Sequence, residues 1–318
     1  MSKPPAMAVV TLGETMALMA PEATGPLFHT TLLRLGIGGA ESNVAIGLQR
    51  LGTPAAWIGR VGRDSLGDLV VRELTAEGLD VHAVRDNDVP TGLMIKERRT
   101  PSNQRVWYYR SGSAGSRLTP DDLPDSLIES ARVLHFSGIT PALSPTAAAT
   151  VEEAIRRART GDTLVSFDVN FRRALWSPGE AAAALRVLAS RADIVFAGED
   201  EAAMLVGPGA ASDLAQRLSA LGPDQVLIKR GRRGATAFVD GRGHQQPAIS
   251  VAVVDTVGAG DAFVAGYLHH AIHEAPAAAR LLGAVKNAAF VCLSPGDWEG
   301  LPRPEDLALL SDTEAVRR

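Results

Sequence analysis

Asp255-Thr-Val-Gly-Ala-Gly-Asp-Ala-Phe-Val-Ala-Gly266 is the stretch on which the fold and the chemistry both turn. Three small residues, Gly258, Ala259 and Gly260, lead straight into an apolar helix predicted over Ala262–His273. Small residues leave their backbone N–H groups open, and at a helix N-terminus those groups and the helix dipole make an anion site. Asp261 stands at that point. Aspartate is a preferred N-cap, yet a cap alone does not require three small residues before it. An acid beside such a terminus is placed to take a proton from an attacking hydroxyl. The combination suits phosphoryl transfer to an alcohol.

Outward from this turn, short apolar runs alternate with longer amphipathic segments. Strands are predicted at Ala8–Leu12, Ala55–Ile58, Val133–Phe136, Leu164–Asp168, Ile194–Ala197, Gln225–Lys229 and Ala235–Val239. Helices are predicted at Glu41–Leu51, Ser65–Glu77, Pro145–Arg159, Pro178–Ala189, Glu199–Leu205, Ala211–Leu221, Ala262–His273 and Arg280–Leu293. Such alternation implies an α/β protein with a parallel sheet covered on both faces. Ligands in these folds bind beyond the carboxyl ends of the strands.

Two segments break the pattern. Glu14–Leu35 shows no helical period, and Thr91–Arg110 reads as a hairpin, Gly92–Arg98 and Gln104–Arg110 about a turn at Thr100–Asn103. They read as one small β excursion, about 14–36 and 91–112, lying over the strand ends as a lid on a single domain spanning 1–318. Ordinary surface loops are the plainer alternative; Trp107, Tyr108 and Tyr109 favour a contact surface.

Composition sets the outer limits. Hydrophobic residues are 46% and charged residues 21%, the balance of a globular chain with its own core. A net charge of −4 argues against a nucleic-acid partner. The lone Cys292 leaves no internal disulfide or cysteine-based zinc site. The first twenty residues lack the pattern of a secretory leader, and no run has the length to cross a membrane, so a cytoplasmic location is expected. Gly-Lys is absent, so there is no P-loop, and Gly36-Ile37-Gly38-Gly39 meets Glu41 where a dinucleotide fingerprint needs glycine. His269, His270 and His273 have no acidic ligand in register and read as exposed helix histidines.

At this level of detail DTVGAGDAF and the upstream GGAESNVAIGLQRLG (Gly38–Gly52) resemble the two signatures of the ribokinase-like (PfkB) carbohydrate kinases. The likeness runs along the whole chain through Gly13-Glu14, GRVGRDSLGD (Gly59–Asp68) and LIKRGRRGA (Leu227–Ala235). Within that family VWYYRSGSAGS (Val106–Ser116), HFSGITPALSP (His135–Pro145), SFDVNFRRALWSP (Ser166–Pro178) and GDWEG (Gly296–Gly300) are most similar to the 2-dehydro-3-deoxygluconate kinases. The resemblance implies a three-layer α/β/α domain with a central, mostly parallel sheet and a β lid. It implies ATP and Mg2+ as cofactors, with a monovalent cation as an optional third, a sugar-acid substrate, and a homo-oligomer.

It also implies roles. Asp261 would be the base, and Gly258, Ala259 and Gly260 the anion hole. Gly38, Gly39 and Asn43 would approach the sugar hydroxyls, where a side chain on either glycine would strike the substrate, and Asp255 would help hold it. Met94, Ile139 and Asp297 complete the implied sugar wall. Period-two alternation puts Val106, Tyr108 and Arg110 on one hairpin face, so Tyr108 and Arg110 can converge on a carboxylate. Arg172, just past the strand ending at Asp168, could bridge carboxylate or phosphate. Lys229, Gly231 and Gly234 suit a nucleotide loop, or equally a β-turn, and Asn170 and Asn287 are further nucleotide candidates. Where the family carries Asn-x-x-Glu near the metal, this chain has Gly198-Glu199-Asp200-Glu201, leaving Glu201 as the metal-side candidate, through water. Met94 stands where several deoxygluconate kinases carry a tyrosine. A fructokinase or ribokinase-like enzyme, or a non-catalytic sugar-acid binder, are the competing expectations.

Overall fold

The computed structural model describes residues 7–100 and 103–311. It opens with β1 (Val9–Leu12), buried at all four positions as a strand covered on both faces should be. β2 (Met16–Pro21) and β3 (Leu33–Gly38) follow, separated by a single 3-10 turn at Leu27–His29. Next come α1 (Ala40–Arg50), β4 (Ala55–Gly62), α2 (Ser65–Ala76) and β5 (Asp80–Asp86). The hairpin is β6 (Leu93–Thr100) and β7 (Asn103–Tyr109); residues 101–102 of its expected turn lie outside the described residues, as do the first six of the chain. β8 (Val133–Ser137), α3 (Ile139–Ala142), α4 (Pro145–Thr160), β9 (Leu164–Asp168), α5 (Pro178–Ser190), β10 (Ile194–Gly198), α6 (Glu199–Val206), α7 (Ala211–Ser219) and β11 (Gln225–Lys229) restore the alternation. β12 (Ala235–Val239), β13 (Arg242–Gln246), α8 (Ala259–Ile272) and α9 (Ala277–Val291) complete it.

Helix starts are written locally. The Asp64 carboxylate accepts from Gly67 N at 2.7 Å to open α2. Ser144 caps α4 and Ser177 caps α5, each followed by a proline at the first helical position. Ser177 and Glu180 form a reciprocal capping box.

Nine strands form one sheet in the order β13-β12-β11-β10-β9-β8-β1-β4-β5. It is parallel from β11 to β5 and antiparallel where β12 and β13 pair, the mostly parallel sheet expected. The short Gly231–Gly234 turn folds β12 straight back on β11. One face packs Trp57 and Phe196 against α1, α8 and α9, with Tyr267 of α8 edge-on to Phe196; the other packs Phe136 and Phe167 beneath α4 and α5. β5 and β13 were not expected. Both are edge strands with polar sequences, DVHAVRD and RGHQQ, which carry no apolar run to announce them. α8 starts at Ala259 and α9 at Ala277, each three residues earlier than periodicity indicates.

The remaining strands make a second sheet, β3-β2-β6-β7. Its register sorts the faces. Gly36, Leu18, Met94 and Tyr108 lie in one cross-strand row, and Leu35, Met19, Ile95 and Trp107 in the next, on the opposite face. Met16, Leu18 and Met94 bury together with Val106 against them, so the first row faces inward.

Candidate active site

Two cavities meet at the N-terminus of α8. One of about 340 Å³ lies under the inner face of the lid sheet; one of about 720 Å³ lies between the β11–β12 turn and α8–α9. Lys229, Thr256 and Gly260 line both, so the two spaces adjoin at the glycine turn.

Gly258 is the N-cap of α8, with φ +76°, a left-handed conformation that glycine alone adopts without strain. A Cβ there would also fall on the carbonyl oxygen of Asp297. At Gly260 the only protein atom near a hypothetical Cβ is Lys229 Nζ at 3.6 Å, so its missing side chain leaves room towards the cavities. Asp261, in the first turn of the helix, accepts from Asn43 Nδ2 at 2.8 Å, a link between α8 and α1. Burial, then the Asp168 carboxylate, push Asp261 up to about 7, against the pull of the Asn43 amide and the Lys229 and Arg172 cations. A carboxyl group poised there can act as a base near neutrality.

Asp168 is the site residue that sequence reasoning passed over as a strand end. Its two oxygens accept from Lys229 Nζ at 2.8 and 2.7 Å, and the pair lines the sugar-side cavity. Alternation cannot flag it, because β9 is buried on both faces; the signal was its place as the last residue of a strand, at the carboxyl edge of the sheet. Beside it Asn170, with φ +38°, and Arg172 line the same cavity. Asn170 therefore lines the 340 Å³ cavity and not the 720 Å³ one. Arg172 is exposed, and the hydrogen bond its guanidinium makes is to the Phe171 carbonyl at 3.2 Å.

Gly38, Gly39, Asn43, Met94, Tyr108, Arg110, Ile139 and Asp297 all line the 340 Å³ cavity. Several expectations about them need correcting. A Cβ on Gly38 would strike Met94 and Asp297, and one on Gly39 would lie 2.5 Å from the Glu14 carbonyl, so the protein's own packing already demands both glycines. Arg110 is not a free cation: its Nε and a terminal nitrogen both reach Glu14 Oε2, while Ser113 donates to Oε1. Asp255 lies outside this cavity. One of its oxygens caps Val257 N at 3.1 Å and the other accepts from Gln104 of β7 at 3.1 Å, tying the lid to the turn before α8.

The 720 Å³ cavity has an apolar floor of Ile249, Phe263, Val285 and Ala289 and a rim that includes Lys229, Arg230, Gly231 and Gly234, the form of a slot for a flat ring with phosphates at its mouth. Asn287 does not reach it. Its amide donates to Gly283 O at 2.9 Å in the α8–α9 contact, because Gly266 lets the two helices approach there. The Gly231–Gly234 segment is a tight turn whose two glycines also line this cavity.

Glu201 has a structural role of its own at the start of α6. Its oxygens accept from Gly198 N at 2.6 Å and Phe171 N at 2.8 Å, closing the start of α6 and fixing the loop that carries Arg172. Among the described residues no three His, Cys, Asp or Glu side chains converge as a metal cage. The histidines of α8 are not simply exposed: His269 and His270 are half-buried, and His269 bonds Thr53 Oγ1 at 2.7 Å. No described helix is long and apolar enough to cross a membrane.

A titratable acid at an anion-binding helix terminus, between a sugar-sized and a nucleotide-sized cavity, defines a phosphotransferase acting on an alcohol. A family model for pfkB family carbohydrate kinases matches residues 7–304, and the chain belongs to that family. A 2-dehydro-3-deoxygluconokinase of Bacillus subtilis (strain 168) is 36% identical over 310 residues, 94% of each chain. A 2-dehydro-3-deoxygalactonokinase of Haloferax volcanii is 35% identical over 292 residues, 91% of this chain and 92% of that one. The solved structure of a 2-dehydro-3-deoxygluconokinase from Thermotoga maritima is 25% identical and superposes with a TM-score of 0.90 over 96% of this chain and 98% of that one. The fold is the ribokinase-like one, and the protein is a carbohydrate kinase.

Proposed function

We propose that the enzyme transfers the γ-phosphoryl group of ATP to a hydroxyl of a sugar acid, specifically O6 of 2-dehydro-3-deoxy-D-gluconate. The observation that carries this is Asp261, held by Asn43 and pushed up to about 7, at the glycine turn where the two cavities adjoin. The names of the relatives supply the substrate class.

In this account the sugar occupies the lid-side cavity with O6 at Asp261, and the nucleotide lies on the apolar floor of the larger one. Asp261 takes the O6 proton as the O6–P bond forms and the bond from the γ-phosphorus to its bridging oxygen breaks, releasing ADP. The N-terminal turn of α8 and Lys229 face the charge that develops on the transferring group. The lid sheet closes over the sugar to exclude water. Among the described residues no three His, Cys, Asp or Glu side chains form a cage for Mg2+; the ion, bound with the nucleotide, would neutralise phosphate charge. A homo-oligomer formed through the outer lid face, where Leu35, Trp107 and Tyr109 are exposed, belongs to the same proposal.

A neutral sugar is the competing reading. One observation favours it: Arg110 is already engaged by Glu14. An ATP-consumption assay across 2-dehydro-3-deoxygluconate, 2-dehydro-3-deoxygalactonate, gluconate, fructose and ribose separates the two. Turnover with a deoxy keto acid is expected; turnover with fructose or ribose alone would overturn the sugar-acid assignment.

A further inference from the structure

Charge on the inner face of the lid is concentrated in two buried ion pairs. Arg110 and Glu14 form the first, closed further by Ser113. Lys96 and Asp297 form the second, with side chains each 8% exposed. Lys96 is one of only four lysines in the chain. It stands on β6 two residues after Met94, paired across the sheet with Val106, so the strand's alternation turns it inward with Met94 and Tyr108. Asp297 reaches it from the loop after α9, 201 residues away. That loop is fixed from outside the cavity: Glu299 accepts from Asp297 N at 2.9 Å, and Trp298 Nε1 donates to Ile37 O at 3.1 Å.

Burying an ammonium needs a counter-charge, and Asp297 supplies it. A lysine has three donors, however, and Asp297 takes one of them. Lys96 borders the sugar-side cavity, so the others are within reach of a ligand there. The cations act at opposite ends of this space. Lys229 and Arg172 both act on Asp261, at the phosphoryl end. A chain whose terminal hydroxyl lies at Asp261 directs its acid end towards the lid. There Arg110 is doubly engaged by Glu14, whereas Lys96 is held by a single hydrogen bond.

We propose that Lys96 is a specificity-determining residue of this site: its ammonium donates to the carboxylate of the sugar acid, with Asp297 aiming it and matching its charge. The proposal rests on the sugar-acid reading of the preceding section. It also answers the objection that Arg110 is occupied, and it gives the lid position of Met94, which cannot donate a hydrogen bond, a charged donor two residues further on.

The test is steady-state kinetics with 2-dehydro-3-deoxygluconate, and calorimetric binding of gluconate, for the wild type, Lys96→Met, Lys96→Arg and the double variant Lys96→Met/Asp297→Asn. The double variant removes both charges and so avoids an orphaned buried carboxylate. Lys96→Met and the double variant should raise KM by about 10- to 100-fold, with kcat changed less than about threefold, as expected for one hydrogen bond to a charged group. Lys96→Arg should recover most of the loss. A folded double variant with wild-type KM and wild-type gluconate affinity would make the pair a structural latch and overturn the proposal for Lys96 alone. A wild-type enzyme that neither binds nor phosphorylates any sugar acid would overturn the substrate assignment, and Lys96 with it.

Discussion

Asp261→Asn should remove activity and stabilise the protein at the same time. Asparagine has the same shape and can still accept from the Asn43 amide, which reaches Asp261 Oδ2 at 2.8 Å. It cannot take a proton, so kcat should fall by about 10²- to 10⁴-fold. The stability term follows from the raised acidity constant. Moving a carboxyl group from its ordinary 3.8 to about 7 disfavours its ionised form in the folded state by about 4 kcal/mol at most. Below about pH 4 the acid is protonated in both folded and unfolded chains, and that cost is absent. Between about pH 4 and 7 the unfolded chain ionises first, so stability falls as pH rises; above about 7 the full cost stands. The substituted amide carries no such cost, and Asp261 keeps some solvent contact, so the variant should gain about 2–4 kcal/mol at pH 8 and almost nothing at pH 4. For a chain of this length that corresponds to a melting temperature about 3–6 °C higher. Calorimetric melts of both proteins from pH 4 to 8, alongside kcat, measure it. A variant that keeps its turnover, or one whose melting-temperature difference does not depend on pH, would refute the placement of Asp261 as a buried base.

The same acid sets the wild-type pH profile: kcat/KM should climb about tenfold per pH unit up to about pH 7 and then level off, which initial rates between pH 5 and 9 will show. Gly258→Ala forces a side chain into φ +76° and onto the Asp297 carbonyl, so it should cost about 3 kcal/mol in urea unfolding and abolish turnover. Arg110→Met leaves the buried Glu14 carboxylate without its cation and should destabilise by about 3–5 kcal/mol, while Arg110→Met/Glu14→Gln should recover most of that; equal losses in the two would remove the ion pair from the account.

Much of this was legible in the sequence because each rule involved is local. The glycine turn and the apolar helix behind it are read directly from the residues, and period-two alternation puts Tyr108 and Arg110 together, both of which line the 340 Å³ cavity. The same alternation on β6 points at Lys96, but its partner Asp297 lies 201 residues away in the chain. What stayed hidden depends on partners distant in the chain. That Glu201 also holds Phe171 N, 30 residues earlier, is not visible in its own segment. Asn287 looks like a nucleotide ligand until α9 packs against Gly266. Arg110 looks like a free guanidinium until Glu14, 96 residues earlier, closes on it. Edge strands β5 and β13 escaped because apolar residues are few in them, Val81, Ala83 and Val84 among polar ones in β5 and none in β13.

The central claim is transfer from ATP to the terminal hydroxyl of a sugar acid at Asp261. Phosphorus-31 NMR of a reaction holding the enzyme, Mg-ATP and 2-dehydro-3-deoxygluconate reads it directly. The account predicts ADP and one phosphate monoester appearing in equal amounts, the monoester split into a triplet by the two protons on C6. A monoester split into a doublet, which marks a secondary hydroxyl, or ADP formed with inorganic phosphate alone, would contradict it.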